Sequence, residues 1–158
     1  MENSLQSWLH DSGSLIKRLR QYQLQPQIKV LRQGWYYPQS AEQICLGLKS
    51  RRYLFVREVE ILHQDHLLLF ARTAIPALTL KGREKMLMRL GKRSLGSILF
   101  SCPQWERSAF EFKLEHYPQY AAQKLWERQS LFYWKEKSIL LTEVFLPFLV
   151  DFIKMSII

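Results

Sequence analysis

Two apolar runs, Tyr53 to Leu62 and Leu67 to Ile75, are separated only by the polar stretch His63-Gln64-Asp65-His66. Runs of this length, rich in Val, Ile, Leu and Phe, read as strands, and so short a connection makes them a hairpin. The pattern recurs at Leu125 to Trp134 and Ser138 to Leu146, across the turn Lys135-Glu136-Lys137. Further strands are expected around Gln27 to Tyr36, and where Phe110, Phe112 and Leu114 alternate with Glu111, Lys113 and Glu115.

Short helices are expected between these strands. Leu5, Trp8 and Leu9 stand at helical spacing, as do Leu15, Ile16 and Leu19, with capping residues at Asp11-Ser12-Gly13-Ser14 in between. Ala41 to Gly47 reads as a short helix or loop. Gly82 to Leu90 reads as a helix stopped by Gly91, and Leu95 to Phe100 as another. The 158 residues fit one domain, residues 1 to 158. The predicted fold is α+β: a single antiparallel sheet of about six strands with short helices.

Charge narrows the function only partly. Twenty-three Lys and Arg against 14 Asp and Glu give +9, which suits nucleic acid, anionic lipid or a small anionic substrate. The basic residues lie in short clusters such as Lys17-Arg18-Leu19-Arg20 and Lys49-Ser50-Arg51-Arg52, so solvated surface is the default reading. No nucleic-acid motif is present, and most aromatics fall in or beside predicted strands, where core packing is expected. No nucleic-acid partner is predicted. The N-terminus does not read as a signal peptide, and no apolar run is long enough to span a membrane. With only Cys45 and Cys102, a reduced cytoplasmic setting is expected.

Three charges disagree with their local pattern. Residues i and i+2 share a strand face. Arg57 therefore lies with Tyr53, Phe55, Val59 and Ile61; Arg72 with Leu68, Phe70 and Ala74; Glu143 with Ile139, Leu141 and Phe145. An unpaired buried charge costs several kcal/mol, so each must find a partner. One outcome is an internal Arg–Glu–Arg network. The other is a site whose excess positive charge takes an anion, since Arg forks match carboxylates. Desolvation favours a neutral carboxyl and neighbouring arginines an ionised one, so the pattern leaves the charge state of Glu143 open.

Four segments then resemble bacterial chorismate lyases, over roughly Trp8 to Pro147. They are Phe55-Val56-Arg57-Glu58-Val59; Ala71-Arg72-Thr73-Ala74-Ile75-Pro76 with Thr79-Leu80-x-Gly82; Leu90-Gly91-Lys92-Arg93-Ser94-Leu95-Gly96-Ser97-Ile98-Leu99-Phe100; and Leu140-Leu141-Thr142-Glu143-Val144-Phe145-Leu146-Pro147. The resemblance implies release of pyruvate from chorismate to leave 4-hydroxybenzoate, a ubiquinone precursor, with no metal or organic cofactor. It implies that Arg57 holds a ligand carboxylate and Glu143 meets the ring hydroxyl. Leu15 and Leu95 match ligand-contacting positions, partly through backbone. Arg72 matches a basic residue near the enolpyruvyl side, and the helices between Gly82 and Phe100 would be flaps over an internal pocket. On this reading Arg72 stabilises charge on the leaving group and Glu143 handles a proton, unless the proton moves within the substrate and Glu143 only orients it.

Departures from the family pattern are Leu15 in place of Met, Ser94 in place of Pro, and the run Trp126-Glu127-Arg128-Gln129-Ser130, in which Arg128 is taken as structural. The competing reading is a non-catalytic binding module for a 4-hydroxybenzoate-like molecule, as in sensor domains of bacterial regulators; against it, no DNA-binding domain is read ahead of the module. His63-x-x-His66 is set aside as a metal site. A monomer is expected. For the tail, Phe148 to Ile158, packing or disorder is favoured over transient contact with a membrane surface.

Overall fold

A computed structural model describes residues 4–50 and 52–156. Met1 to Asn3 of the N-terminus, Arg51 of one basic cluster, and Ile157-Ile158 of the tail lie outside them. Helices α1 (Leu5–Leu9) and α2 (Leu15–Gln21) come first, followed by strand β1 (Gln27–Tyr36) and helix α3 (Ser40–Cys45). The main hairpin is β2 (Leu54–His63) and β3 (His66–Pro76). Two 3₁₀ segments, Ala77–Leu80 and Gly82–Arg89, lead to α4 (Leu95–Leu99). Strands β4 (Glu106–Arg107), β5 (Glu111–Glu115), β6 (Leu125–Trp134) and β7 (Lys137–Phe145) precede α5 (Pro147–Met155). The sheet is antiparallel, in the order β1-β2-β3-β7-β6-β4, and β5 also pairs with β6.

The expected α+β sheet is present, with seven strands; the extra one is the two-residue β4. The segment after Gly82 is 3₁₀ rather than α. Its buried residues Glu84 and Leu87, and the capping Leu90 after it, recur at every third position, the period of a 3₁₀ helix. Leu114 is exposed at the sheet edge, so β5 buries only part of its alternating face.

The hairpin holds the main departure. Gln64 and Asp65 both have positive φ, as a type I′ two-residue turn requires, and His63 pairs with His66. A plain ladder from that turn would set Arg57 opposite Arg72. Instead Leu62 pairs with Leu67 and Ile61 with Leu69, so Leu68 is a bulge residue. One extra residue reverses the face of everything beyond it. Arg57 consequently faces Thr73, and Arg72 pairs with Glu58 on the other side of the sheet.

Two apolar clusters cover the first face. Trp8, Leu15 and Leu19 pack with Leu149 and Ile153 of α5 against Ile61, Leu69 and Phe145. Leu80, Leu87, Leu90, Leu95 and Leu99 pack against Phe55, Ile75, Phe132 and Ile139. Full burial of each such side chain contributes about 1.5–3 kcal/mol. The tail is thus a core helix: Leu149 and Ile153 are wholly buried.

Candidate active site

Between the two clusters lies a cavity of about 70 Å³, walled by residues of both. Its floor is β3, where the small side chains of Ala71 and Thr73 leave room. Its roof is formed by two short helices. Ser14 caps α2 by accepting from the Lys17 N–H at 3.2 Å, and Ser94 caps α4 by accepting from the Ser97 N–H at 3.1 Å. These caps fix where the helices begin, so that Leu15 and Leu95 line the cavity together.

Arg57 enters from β2 and is 4% exposed. It donates to Gln33 Oε1 at 3.1 Å and to the carbonyls of Gly91 and Arg93 at 2.8 and 2.9 Å. Gly91 has φ +60°, a backbone turn that glycine adopts freely. All these partners are neutral, and among the described residues Arg57 forms no ion pair. Burial pulls its pKa down, yet it is a guanidinium with no counter-anion among the described residues.

Glu143 projects from β7 on the same face. Its Oε2 accepts from Arg128 Nε at 2.7 Å and more loosely from Arg107 Nη2 at 3.4 Å. Arg128 is fully buried. Its Nη1 donates to the carbonyls of Leu9 and Asp11, both at 2.8 Å, and its guanidinium lies 4.3 Å from the Phe110 ring centroid. Arg107 donates to Ser130 Oγ at 2.9 Å and to the Ser12 carbonyl at 3.1 Å, between the Phe110 and Phe132 rings. Burial, reinforced by the neighbouring Arg128 cation, pulls Arg107 down to about 10, still well above neutrality, so it is charged at pH 7. Asp11 pairs with Arg18 at 2.9 Å. Three guanidiniums and one carboxylate therefore leave two positive charges unmatched around the cavity.

The structure brings Arg57, Glu143, Leu15 and Leu95 together and separates Arg72 from them. The Leu68 bulge sends Arg72 to the opposite face, where Glu42 Oε2 and Oε1 accept from it at 2.7 and 3.0 Å, and Glu58 Oε2 at 2.8 Å. Two carboxylates satisfy it there, and it does not line the cavity. The expected leaving-group role for Arg72 is corrected accordingly.

Of the two basic neighbours of Glu143, sequence reasoning takes Arg128 as structural, without linking it to Glu143, and misses Arg107. Arg128 carried the same signal as Arg57, since it shares a face with Trp126, Ser130 and Phe132. Arg107 sits in a strand too short to show a period. Outside the cavity, and sharing Ser14, Ile16, Ser94, Gly96 and Phe100 with its wall, a groove is lined by Lys17, Arg20, Lys29, Lys92 and Arg93. Asp65 is the groove's one acidic residue among those described.

The family model described as "Chorismate lyase" matches residues 1–154. The chain is 35% identical over 153 residues to a "Probable chorismate pyruvate-lyase" of Methylococcus capsulatus, covering 90% of this chain and 94% of that one. It is 37% identical over 141 residues to a "Chorismate pyruvate-lyase" of Hamiltonella defensa, covering 89% and 76%. Among solved structures, the effector domain of PhnF from Mycobacterium smegmatis matches with a TM-score of 0.61, covering 85% of this chain and 89% of that one. At 12% identity this is a likeness of fold alone.

Proposed function

The chain belongs to the chorismate lyase family, and from that premise we propose that it eliminates pyruvate from chorismate, leaving 4-hydroxybenzoate, in the cavity beneath α2 and α4. The observation that carries this reading is the charge pattern there. Chorismate is a dianion; Arg57, Arg107 and Glu143 leave the cavity wall one positive charge in excess, and Arg128 behind Glu143 raises the excess around the cavity to two. Arg57 supplies a buried guanidinium held only by neutral oxygens, suited to the ring carboxylate. Glu143 stands two strands away, about 9–10 Å across the sheet. On this reading it accepts the hydrogen bond of the hydroxyl on C4, opposite the carboxylate across the ring. Leu15 and Leu95 close over the ring.

The chemistry asks little of side chains. The C3–O ether bond breaks with its electron pair going to oxygen, and the C4–H pair becomes the C3–C4 double bond of the aromatic ring. The released proton ends on the methylene carbon of the enol, giving pyruvate. Aromatisation supplies the driving force, so the protein's task is to position the ether and stabilise the departing charge. Glu143 carries the proton in a stepwise route; in a concerted route the proton passes within the substrate and Glu143 orients the ring.

The same reading makes the chain a single-domain monomer acting in the cytoplasm. No helix of the described residues is long and apolar enough to cross a membrane, and α5 uses Leu149 and Ile153 in the core rather than on a membrane surface. Incubation of the purified protein with chorismate tests the function. The expected result is equimolar 4-hydroxybenzoate, followed by absorbance, and pyruvate, followed by a coupled dehydrogenase. Tight binding of 4-hydroxybenzoate without turnover would instead support a sensor.

A further inference from the structure

If Arg72 lies on the far side of the sheet, another group must answer the second carboxylate of the substrate. The connectivity of chorismate says where to look. Its enolpyruvyl arm is on C3, next to the C4 hydroxyl and away from the ring carboxylate. A ring held by Arg57 at one end and Glu143 at the other therefore places the arm beside Glu143. The group that meets it must be cationic, must line the cavity and must stand next to that carboxylate.

Arg107 meets all three conditions. It lines the cavity, its Nη2 is 3.4 Å from Glu143 Oε2, and its side chain is 10% exposed. Of the five N–H donors of a guanidinium, three have protein partners: Ser130 Oγ, the Ser12 carbonyl and, at that long distance, Glu143. The remaining donors are available to a ligand. Arg128 does not line the cavity: its Nε and Nη1 are held by Glu143 and backbone carbonyls, and its Nη2, which has no partner among the described residues, is buried away from the cavity wall. Arg57 is at the other end of the ring. The Phe110 and Phe132 rings, whose centroids lie 4.5 and 4.8 Å from the Arg107 guanidinium carbon, hold its orientation.

Resting on the reading of this cavity as a chorismate-cleaving site, we propose that Arg107 is a catalytic residue that binds the enolpyruvyl carboxylate and stabilises the negative charge gathering on the ether oxygen as the C3–O bond breaks. No further reactant enters the balance given above. The arm leaves as the enol and takes up the C4 proton as pyruvate.

The test turns on the product, which has no enolpyruvyl arm. Arg107→Gln should lower kcat/KM for chorismate by roughly 10²–10³-fold while 4-hydroxybenzoate affinity stays within about threefold. A parallel loss of product affinity would make Arg107 merely structural and refute the proposal, as would wild-type turnover. Should the variant fail to fold, the wild-type protein decides through two aromatic analogues. It should bind 3-(carboxymethoxy)-4-hydroxybenzoate more tightly than 4-hydroxy-3-methoxybenzoate, by roughly 10-fold or more, the worth of a charge-assisted hydrogen bond. Equal affinity would overturn the assignment. A wild-type protein that prefers the dicarboxylate but does not cleave chorismate would keep Arg107 as the carboxylate site and refute the enzymatic reading alone.

Discussion

Replacing Arg128 with Met keeps most of the side-chain volume and removes the guanidinium that ties Glu143 to the N-terminal segment. Three contacts of good length disappear, to Glu143 at 2.7 Å and to the Leu9 and Asp11 carbonyls at 2.8 Å. Glu143, about nine-tenths buried, is left with Arg107 at 3.4 Å. Breaking a buried pair from one side costs about 3–5 kcal/mol, because the remaining charge stays desolvated. For a chain of this size that lowers Tm by roughly 6–20 °C. Urea unfolding of the wild type, Arg128→Met, Glu143→Leu and the double variant closes a cycle. The expected coupling energy is about 1.5–3 kcal/mol, the range for hydrogen bonds to charged groups. The double variant should therefore be much more stable than the two single losses summed. A coupling below about 0.5 kcal/mol would show additivity and refute the account of Arg128 as the partner on which Glu143 depends.

Arg72→Ala should lower Tm, since it leaves Glu42 and Glu58 facing each other without their shared cation. Its kcat, measured well below Tm, should stay within about threefold of wild type, and a hundredfold loss in the folded variant would return Arg72 to the catalytic centre. Stability should decline as pH rises above about 10, the ordinary tyrosine value. Burial first, and then hydrogen bonds to Glu127 and Glu60, raise the Tyr117 and Tyr120 pKa values in the native state, so the unfolded chain ionises before it does. Thermal unfolding of Tyr117→Phe/Tyr120→Phe should lose less stability between pH 9 and 12 than the wild type; an equal or steeper decline would count against it. The groove of Lys17, Arg20, Lys29, Lys92 and Arg93 at the cavity wall should steer a dianion. Raising salt from about 0.05 to 0.5 M should then reduce kcat/KM for chorismate by roughly threefold or more, and Lys17→Gln/Lys92→Gln should flatten that dependence. A flat wild-type profile would show that the groove plays no part.

Most of the fold was legible because its elements announce themselves by period. The strands of both hairpins, the helices flanking Ser14 and the turn at Gly91 follow from alternation, capping and glycine chemistry. Arg57 and Glu143 stood out as charges on apolar faces, and the cavity holds both. What could not be read is relative face across a hairpin. Alternation says which residues of one strand lie together, but the match between strands passes through Leu68, which looks like any other apolar residue in the sequence. Arg107 was invisible for a different reason: two residues make no period, and tertiary pairing with Phe132 and Tyr133 alone defines its strand.

The Leu68 bulge also bears on how this protein can change by mutation. Substitutions along β2 and β3 alter one side chain at a time. A one-residue insertion or deletion between the turn at Gln64-Asp65 and the bulge acts on the whole ladder beyond it. Losing one residue there would turn Arg72 toward Arg57 and move Ala71 and Thr73, the small residues that make room for the ring, to the far side. The hairpin is therefore tolerant in composition and intolerant in length. A single-codon deletion at a position remote from Glu143 would exchange a substrate cavity for a crowded pair of like charges, although every residue named in the site was still encoded.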